Sequence, residues 1–241
     1  MVDNVFGLPR LAQVYDPLDP DRSDLDVYEV IVDELGARRV LDIGSGTGTL
    51  ACRLALRGFD VIGLDPASAS VDVARRKDGA DQVRWVVGDV RALPEVEVDL
   101  VLMTANVAQV FVTDEDWHAT LAAARDALAP GGHLVCETRV PEREGWQLWN
   151  PVDSYARADV EGIGVVTSET EVTEVALPLV SFRATLVFEA DGERVVSHST
   201  LRFRGREEIT EALAAHGFTV REVRDAPDRP GREWVFVAER R

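Results

Sequence analysis

Short apolar runs alternate with stretches of helical spacing from Arg39 to Thr138. The runs lie at positions 39–43, 60–64, 83–87, 98–103 and 133–138, and each contains at least two valine, leucine or isoleucine residues. The longest helical stretch, between the last two runs, places Leu121, Ala124 and Leu128 on one face. Repeats of strand, helix and strand at this spacing predict a parallel sheet covered by helices, because short right-handed crossovers return each strand beside the last.

A glycine-rich turn follows the first apolar run. Gly44, Gly46 and Gly48 come directly after Ile43, and residues at helical spacing follow them. A helix that begins after such a turn presents free backbone N–H groups and a positive dipole end, which suit a carboxylate, a phosphate or a ribose. The spacing GxGxG differs from the dinucleotide fingerprint GxGxxG, because Thr49 stands where the third glycine would fall. The alternative to a nucleotide-cofactor site is an ordinary tight turn from strand to helix.

The segment DIGSGTG, which runs from Asp42 to Gly48, resembles motif I of the class I methyltransferases that use S-adenosylmethionine (SAM). The resemblance covers most of the chain, from about Tyr15 onward, and is closest to enzymes that methylate small molecules. It implies an α/β fold with a Rossmann-like, seven-stranded, mostly parallel sheet and helices on both faces. It also implies a final antiparallel hairpin, which strands near 219–223 and 233–238 would supply after a helix at 206–217.

The same resemblance implies a set of contacts to SAM. Asp65 would bind the ribose hydroxyls, and Asp89 would bind the adenine amino group beside the Val90 backbone. Tyr15 resembles an N-terminal tyrosine that covers the methionine end of the cofactor, and the glycines would admit that end against bare backbone. The residues expected to bind SAM are Tyr15, Asp42, Gly44, Ser45, Gly46, Gly48, Asp65, Pro66, Asp89, Val90 and Ala105. Asp65 with Pro66 can also cap the helix that begins near Ala67.

Residues 139–204 are expected to form an inserted antiparallel sheet between the fifth strand and the last helix. Two alternating runs there are joined by Asp191 and Gly192, the preferred pair for a two-residue hairpin turn. That turn would pair Glu189 with Arg194, Phe188 with Val195, Thr185 with His198 and Phe182 with Leu201. One face would then be mostly apolar, and a further strand at 164–175 would extend a sheet that forms one wall or lid of an acceptor pocket.

We expect the whole chain, 1–241, to be a single methyltransferase domain. Its parts would be an N-terminal lid and helix at 1–36, a SAM-binding core at 37–138, the inserted substrate subdomain at 139–204, and the C-terminal helix and hairpin of the core at 205–241.

Charge and composition narrow the choice of partner. The chain has 26 lysine and arginine residues against 43 aspartate and glutamate residues, a formal charge of −17 at pH 7, which argues against a nucleic-acid partner. The four histidines are scattered and the two cysteines, Cys52 and Cys136, lie far apart, so no metal site is expected. With no apolar leader and no long apolar run, we expect a cytoplasmic protein without a membrane partner. The oligomeric state stays open.

Methyl transfer from a sulfonium mainly requires that the acceptor be held close and aligned in a dry site. The residues expected to contact the acceptor are Asn106, Arg139, Trp146, Trp149 and His198. Asn106 can orient an acceptor, although its amide is no base at neutral pH, and His198 is the candidate base. Arg139 would bind an acceptor carboxylate or pair with a neighbouring acid. The two tryptophans would line the pocket or pack the insertion against the core.

The sequence therefore predicts a methyltransferase that acts on oxygen or nitrogen of a small molecule. An NAD-dependent oxidoreductase is the first alternative, disfavoured by Thr49 and by the absence of a recognisable catalytic Tyr and Lys pair. The second alternative is a protein that binds SAM without turnover.

Overall fold

The computed structural model of the protein describes residues 3–241. In this part of the chain the strands are β1 (Arg39–Ile43), β2 (Asp60–Asp65), β3 (Val83–Val87), β4 (Val98–Met103), β5 (Leu128–Arg139), β6 (Ala156–Val160), β7 (Gly164–Ala176), β8 (Leu179–Phe188), β9 (Arg194–Arg202), β10 (Phe218–Asp225) and β11 (Glu233–Arg240). The α-helices are α1 (Asn4–Gly7), α2 (Pro9–Leu18), α3 (Asp26–Glu34), α4 (Thr49–Leu56), α5 (Ser68–Ala74), α6 (Asp114–Ala127) and α7 (Arg206–Ala215).

The larger sheet has seven strands in the order β10–β11–β5–β4–β1–β2–β3. Strands β1 to β5 are parallel, whereas β11 pairs antiparallel with β5 and with β10. The predicted seven-stranded, mostly parallel sheet is confirmed, together with its C-terminal hairpin. The carboxyl ends of β1, β2, β4 and β5 all meet at one edge, and the strand order reverses between β1 and β4, where ligands bind in sheets of this kind.

Helices cover both faces of this sheet. On one face, Leu41 of β1 packs with Trp117 and Leu121 of α6 and with Leu213 of α7. On the other face, its neighbour Val40 packs with residues of α3 and α4, among them Ile31, Leu50 and Leu54. Because both faces of the sheet are buried, β1 and β4 are apolar at nearly every position. The sequence therefore shows each of them as a continuous apolar run. None of the helices in residues 3–241 combines the length and the apolar character that a membrane span requires.

The insertion forms a second, antiparallel sheet in the order β6–β7–β8–β9. The expected third strand is β7, and β6 is an additional strand that the sequence did not predict. The inner face of this sheet contributes Val166, Leu186 and Phe188, which pack against Leu11 and Val14 of α2. Helix α2 is therefore sandwiched between the inserted sheet and the body of the protein.

The predicted pairing of β8 with β9 is wrong by two residues. Val187 lies opposite Arg194, Arg183 opposite His198 and Val180 opposite Leu201. The connection is a four-residue loop, Glu189 to Gly192, closed by the Gly192 N–H, which donates to the Phe188 carbonyl at 2.8 Å. Glu189 donates its N–H to the Val165 carbonyl of β7 instead of entering the β8–β9 ladder. Since the shift is even, each side chain keeps its predicted face.

Candidate active site

The glycine-rich turn leaves open space at one of its three glycines. Gly44, Gly46 and Gly48 all have positive φ, of 76°, 54° and 77°. A Cβ at Gly44 would lie 2.5 Å from the Val107 side chain, and one at Gly48 would lie 2.5 Å from the Trp85 ring. A Cβ at Gly46 would meet nothing nearer than the Gly44 carbonyl oxygen, at 4.0 Å. Gly44 and Gly48 thus make room for the protein's own side chains, and Gly46 forms a cradle that any other residue would fill.

The Asp65 carboxylate joins this cradle to the end of β2. Its Oδ2 accepts the Gly46 N–H at 2.8 Å, and its Oδ1 accepts the Ala67 N–H at 2.8 Å. The residue is 8% exposed, and burial raises the pKa of its carboxyl group, although the two N–H donors act in the opposite direction. Each carboxylate oxygen retains capacity for another donor. The bond to Ala67, just before α5, and a contact to a ribose are therefore compatible.

Asp42 and Ser45 bring two buried polar groups to the same turn. Asp42 is 2% exposed at the end of β1. Its burial, and then the nearby charge of Asp65, raise the pKa of Asp42 to about 7. The Ser45 hydroxyl is buried and has no hydrogen-bond partner in the described residues. An unpaired buried hydroxyl is unusual and marks a position where a ligand can supply the missing partner.

Asp89 and Val90 lie past the end of β3, as expected. Asp89 is exposed and begins a short 3₁₀ helix, Val90–Ala92. Its carboxylate accepts the Arg91 N–H and pairs with the Arg91 guanidinium, both at 2.8 Å. Val90 is half-buried and Pro66 is exposed at the same edge. The contact of Asp89 to adenine stays a prediction.

Asp16, which was not predicted as a site residue, bonds helix α2 to the glycine-rich turn. The Thr47 hydroxyl donates to Asp16 Oδ1 at 2.7 Å, and Lys77 Nζ lies 2.7 Å from Asp16 Oδ2. The neighbouring Tyr15 packs against Phe6, with ring centroids 5.5 Å apart, and burial raises the pKa of its phenol. No local pattern predicts the bond between Asp16 and Thr47, which are 31 positions apart in the chain.

The Asn106 side chain points into the protein. The residue is 3% exposed, and its Nδ2 donates to Glu233 Oε1 at 3.0 Å and to Glu137 Oε1 at 3.4 Å. Ala105, which precedes it, is exposed at the rim and donates its N–H to Glu137 Oε2 at 3.0 Å. Neither carboxyl group was predicted. A glutamate inside the apolar run of β5 was the signal for Glu137, because an acid rarely enters a buried strand without partners.

Arg139 lies beside this group at the end of β5. Its Nη1 donates to Gln109 Oε1 at 2.9 Å, and its Nε lies 3.6 Å from Glu233 Oε1. The guanidinium carbon lies 5.5 Å from the centre of the Trp149 ring. Burial lowers the pKa of Arg139. The expected pairing with a neighbouring acid is present, and a contact to an acceptor carboxylate stays a prediction.

Trp146, Trp149 and His198, which are expected at the acceptor, lie in different surroundings. Trp146 is 6% exposed and packs edge-on against Phe203, 4.7 Å between ring centroids, as expected of a residue that packs the insertion, and its contact to an acceptor stays a prediction. Trp149 packs against Phe182 but also reaches Arg139. His198 is exposed on the outer face of the inserted sheet, opposite Arg183. Helix α2 packs on the other, apolar face of that sheet, so this position does not favour His198 as a pocket base, and that role stays a prediction.

Comparison with known proteins agrees with this geometry. The family described as "Methyltransferase domain" matches residues 40–132. The biotin biosynthesis bifunctional protein BioHC of Cellvibrio japonicus is 31% identical over 227 residues, which cover 89% of this chain and 38% of the relative. The chain spans about half or less of the length of the curated relatives it matches.

Two solved structures share the fold over nearly the whole chain. SAM-bound CalS10, an amino pentose methyltransferase from Micromonospora echinaspora, is 27% identical with a TM-score of 0.72, and the match covers 92% of this chain and 93% of that one. A SAM-dependent methyltransferase from Clostridium acetobutylicum has a TM-score of 0.77 at 17% identity, with 96% and 98% of the two chains covered. Together with the glycine cradle at the carboxyl edge of the sheet, these matches show that the chain belongs to the class I methyltransferases, whose cofactor is SAM.

Proposed function

We propose that this chain transfers the methyl group of SAM to a nitrogen or oxygen atom of a small-molecule acceptor. The observation that supports it most directly is the open cradle at Gly46, whose N–H bonds to Asp65 at the edge where five parallel strands end. Similarity to an amino pentose methyltransferase over 92% of the chain supports a small acceptor. The formal charge of −17 supports it too, because a nucleic acid would be repelled.

The residues present fit SAM. Gly46 offers bare backbone, Asp65 offers two carboxylate oxygens for a diol, and the buried Ser45 hydroxyl has no partner among residues 3–241. When bound, SAM supplies a methyl group on a sulfonium, which is already activated for displacement. Helix α2, tied to Thr47 through Asp16, would cover this site and exclude water from it.

The acceptor would lie among Tyr15, Arg139 and Trp149. Arg139 presents its guanidinium beside the Trp149 ring, and the raised pKa of Tyr15 keeps its phenol protonated, so that it can donate a hydrogen bond. The insertion carries Trp149, and we therefore keep residues 139–204 as the substrate part of a single domain. The protein's contribution to the rate is alignment of the acceptor and exclusion of water.

Neither catalytic candidate, Asn106 or His198, is suited to act as a base in the site, and this favours an acceptor that needs none. Asn106 has an amide, which does not accept protons at neutral pH, and His198 lies on the outer face of the inserted sheet. A neutral amine or an ionised carboxylate is nucleophilic without such a base, whereas an alcohol is not. Within the proposal we therefore favour an amine nitrogen or an acid oxygen.

The test is an assay with methyl-labelled SAM against a library of amines, acids and alcohols, with products identified by mass spectrometry. We expect label in an amine or acid, and none with the Gly46→Val variant. Calorimetric titrations with SAM, its demethylated product and NADH accompany the assay. Binding of NADH alone would support the oxidoreductase alternative, and tight SAM binding without any labelled product would support a protein without turnover.

A further inference from the structure

The turn that follows β4 has an unusual backbone conformation. Ala105 and Asn106 are consecutive residues in the left-handed region, with φ of 50° and 62°. A residue with a Cβ is strained there, and such strain persists only where the surroundings hold it. The turn also adjoins the SAM site, because the next residue, Val107, occupies the space that a side chain at Gly44 would need.

Two buried carboxyl groups hold this turn. Glu137 Oε2 accepts the Ala105 N–H at 3.0 Å and the Tyr28 hydroxyl at 2.5 Å. Glu233 Oε1 accepts the Asn106 amide at 3.0 Å. The exposed fractions of the three buried partners are 6% for Glu137, 1% for Glu233 and 2% for Tyr28. The hydrogen bonds of the turn thus run to β5, to β11 and, through Glu137, to α3.

The charges around the pair favour one neutral and one ionised carboxyl group. Burial, and next the hydrogen bond with Glu233, raise the pKa of Glu137 well above its ordinary value. Glu233 stays ionised, with Arg229 Nη1 at 2.8 Å and Arg139 Nε at 3.6 Å. A neutral Glu137 has one donor and one acceptor, and can therefore accept from Ala105 while it donates to Glu233.

We propose that Glu137 and Glu233 are positioning residues, which hold the Ala105–Asn106 turn against the rim of the SAM site and so set where the acceptor meets the methyl group. This inference rests on the proposed function. Both residues are buried beneath the turn and act through their bonds to Ala105 and Asn106. An error of about 1 Å in such a placement can cost roughly a hundredfold in rate.

The test compares Glu137→Ala with Glu137→Gln, using NMR amide exchange at Ala105, SAM affinity and kcat. In Glu137→Ala we expect Ala105 exchange to accelerate at least about tenfold and kcat to fall by up to about a hundredfold, with SAM affinity changed less than about threefold. Glutamine keeps an oxygen that accepts the Ala105 N–H and a donor toward Glu233, and loses only the 3.4 Å bond from Asn106, so Glu137→Gln should recover most of both losses. The matched control is Asp99→Ala, since Asp99 also accepts backbone N–H bonds, from Arg38 and Arg39, but at the other end of β4.

Unchanged Ala105 exchange in a folded Glu137→Ala protein would overturn the inference, as would faster exchange with wild-type kcat. If that variant does not fold, Tyr28→Phe removes one donor from the same oxygen, and Ala105 exchange must then rise by a smaller factor. Amide exchange at Ala105 is measured without turnover, so a failure of this inference is distinguishable from a failure of the proposed function. The latter would appear as a wild-type protein that binds SAM and methylates no acceptor.

Discussion

The Thr47 hydroxyl donates to Asp16 across 2.7 Å, and this contact joins helix α2 to the glycine-rich turn. Lys77, which also contacts Asp16, donates to the Thr49 hydroxyl at 2.6 Å, so the same acid is linked to the start of α4. A helix that covers a ligand site slows ligand release only while it stays attached. If α2 covers the cofactor as proposed, Asp16 is the residue that keeps it in place.

Asp16→Ala should weaken SAM binding. Loss of a hydrogen bond to a charged group costs about 1.5 to 3 kcal/mol, and the affinity should fall roughly tenfold, mainly through faster dissociation. Calorimetry and stopped-flow displacement measure the two quantities. Asp33→Ala serves as a control, because Asp33 pairs with Arg57 on the protein surface at 2.6 Å. Equal SAM affinity in the Asp16 and Asp33 variants would show that α2 does not cover the cofactor.

Gly46→Val should abolish SAM binding while the fold survives. The new side chain would enter the open cradle, whereas the backbone strain of a β-branched residue at positive φ costs only about 1 to 2 kcal/mol. Gly36 is the matched control, since it has φ of 64° and a Cβ there meets nothing within 4 Å. Gly36→Val should lose similar stability and keep its affinity for SAM. Retained binding by Gly46→Val would contradict the assignment of the cradle.

Asp42 should make the protein less stable as the pH rises toward and above 7. Its pKa is raised to about 7, so the folded state binds a proton that the unfolded state releases near pH 4. The contribution of Asp42 to the free energy of unfolding is therefore fully present below about pH 4 and is lost as the pH rises to about 7. Asp42→Asn should remove the decline and stabilise the protein at pH 8 by roughly 2 to 4 kcal/mol, with little effect at pH 4.

Urea unfolding of both proteins across this pH range provides the measurement. Groups that do not interact with Asp42 titrate equally in the two proteins, so the difference between the curves reports Asp42 together with its coupling to Asp65. Asp60→Asn, at the exposed start of β2, is the control and should give parallel curves. If the stability of Asp42→Asn also runs parallel to that of the wild type across this pH range, the Asp42 carboxyl group is not desolvated in the folded protein.

Arg139→Lys should raise the KM for the acceptor by about tenfold. A lysine cannot both donate to Gln109 and lie against the Trp149 ring as the planar guanidinium does. His198→Ala should leave kcat and KM within about twofold of wild type, because the side chain lies on the outer face of the inserted sheet. A wild-type KM in Arg139→Lys, together with a large loss of activity in His198→Ala, would place the acceptor at the outer face of the inserted sheet. Steady-state kinetics with the acceptor found in the library assay decides between them.

In the inserted sheet, the sequence pattern predicts the faces of the strands but not their pairing or packing. Alternation along β8 and β9 placed each side chain on the correct face, since the strand period is two. Pairing failed by two residues, because the Glu189 N–H bonds to Val165 on a third strand that a local turn rule does not consider. The sequence left the side of the sheet on which His198 lies open for a related reason. Alternation shows that a sheet has two faces, but only the packing of Leu11 and Val14 decides which face is inside.

The carboxyl pair beneath the turn after β4 was likewise beyond the reach of local patterns. Tyr28 and Glu137 are 109 positions apart in the chain, and Asn106 and Glu233 are 127 positions apart. Their contacts arise from the antiparallel entry of β11 beside β5, which places Glu233 opposite Arg139. No spacing rule connects such residues before the topology is known.

By itself, the sequence determined the parallel core, the C-terminal hairpin and the turn around Gly46, because strand runs and glycine spacing are local properties of the chain. Tertiary structure alone decided that Gly44 and Gly48 accommodate Val107 and Trp85 and that Asp16 bonds to Thr47. It also decided that two distant glutamates meet under Asn106. Those contacts depend on which strands become neighbours, and that arrangement is settled only when the whole hydrophobic core is buried.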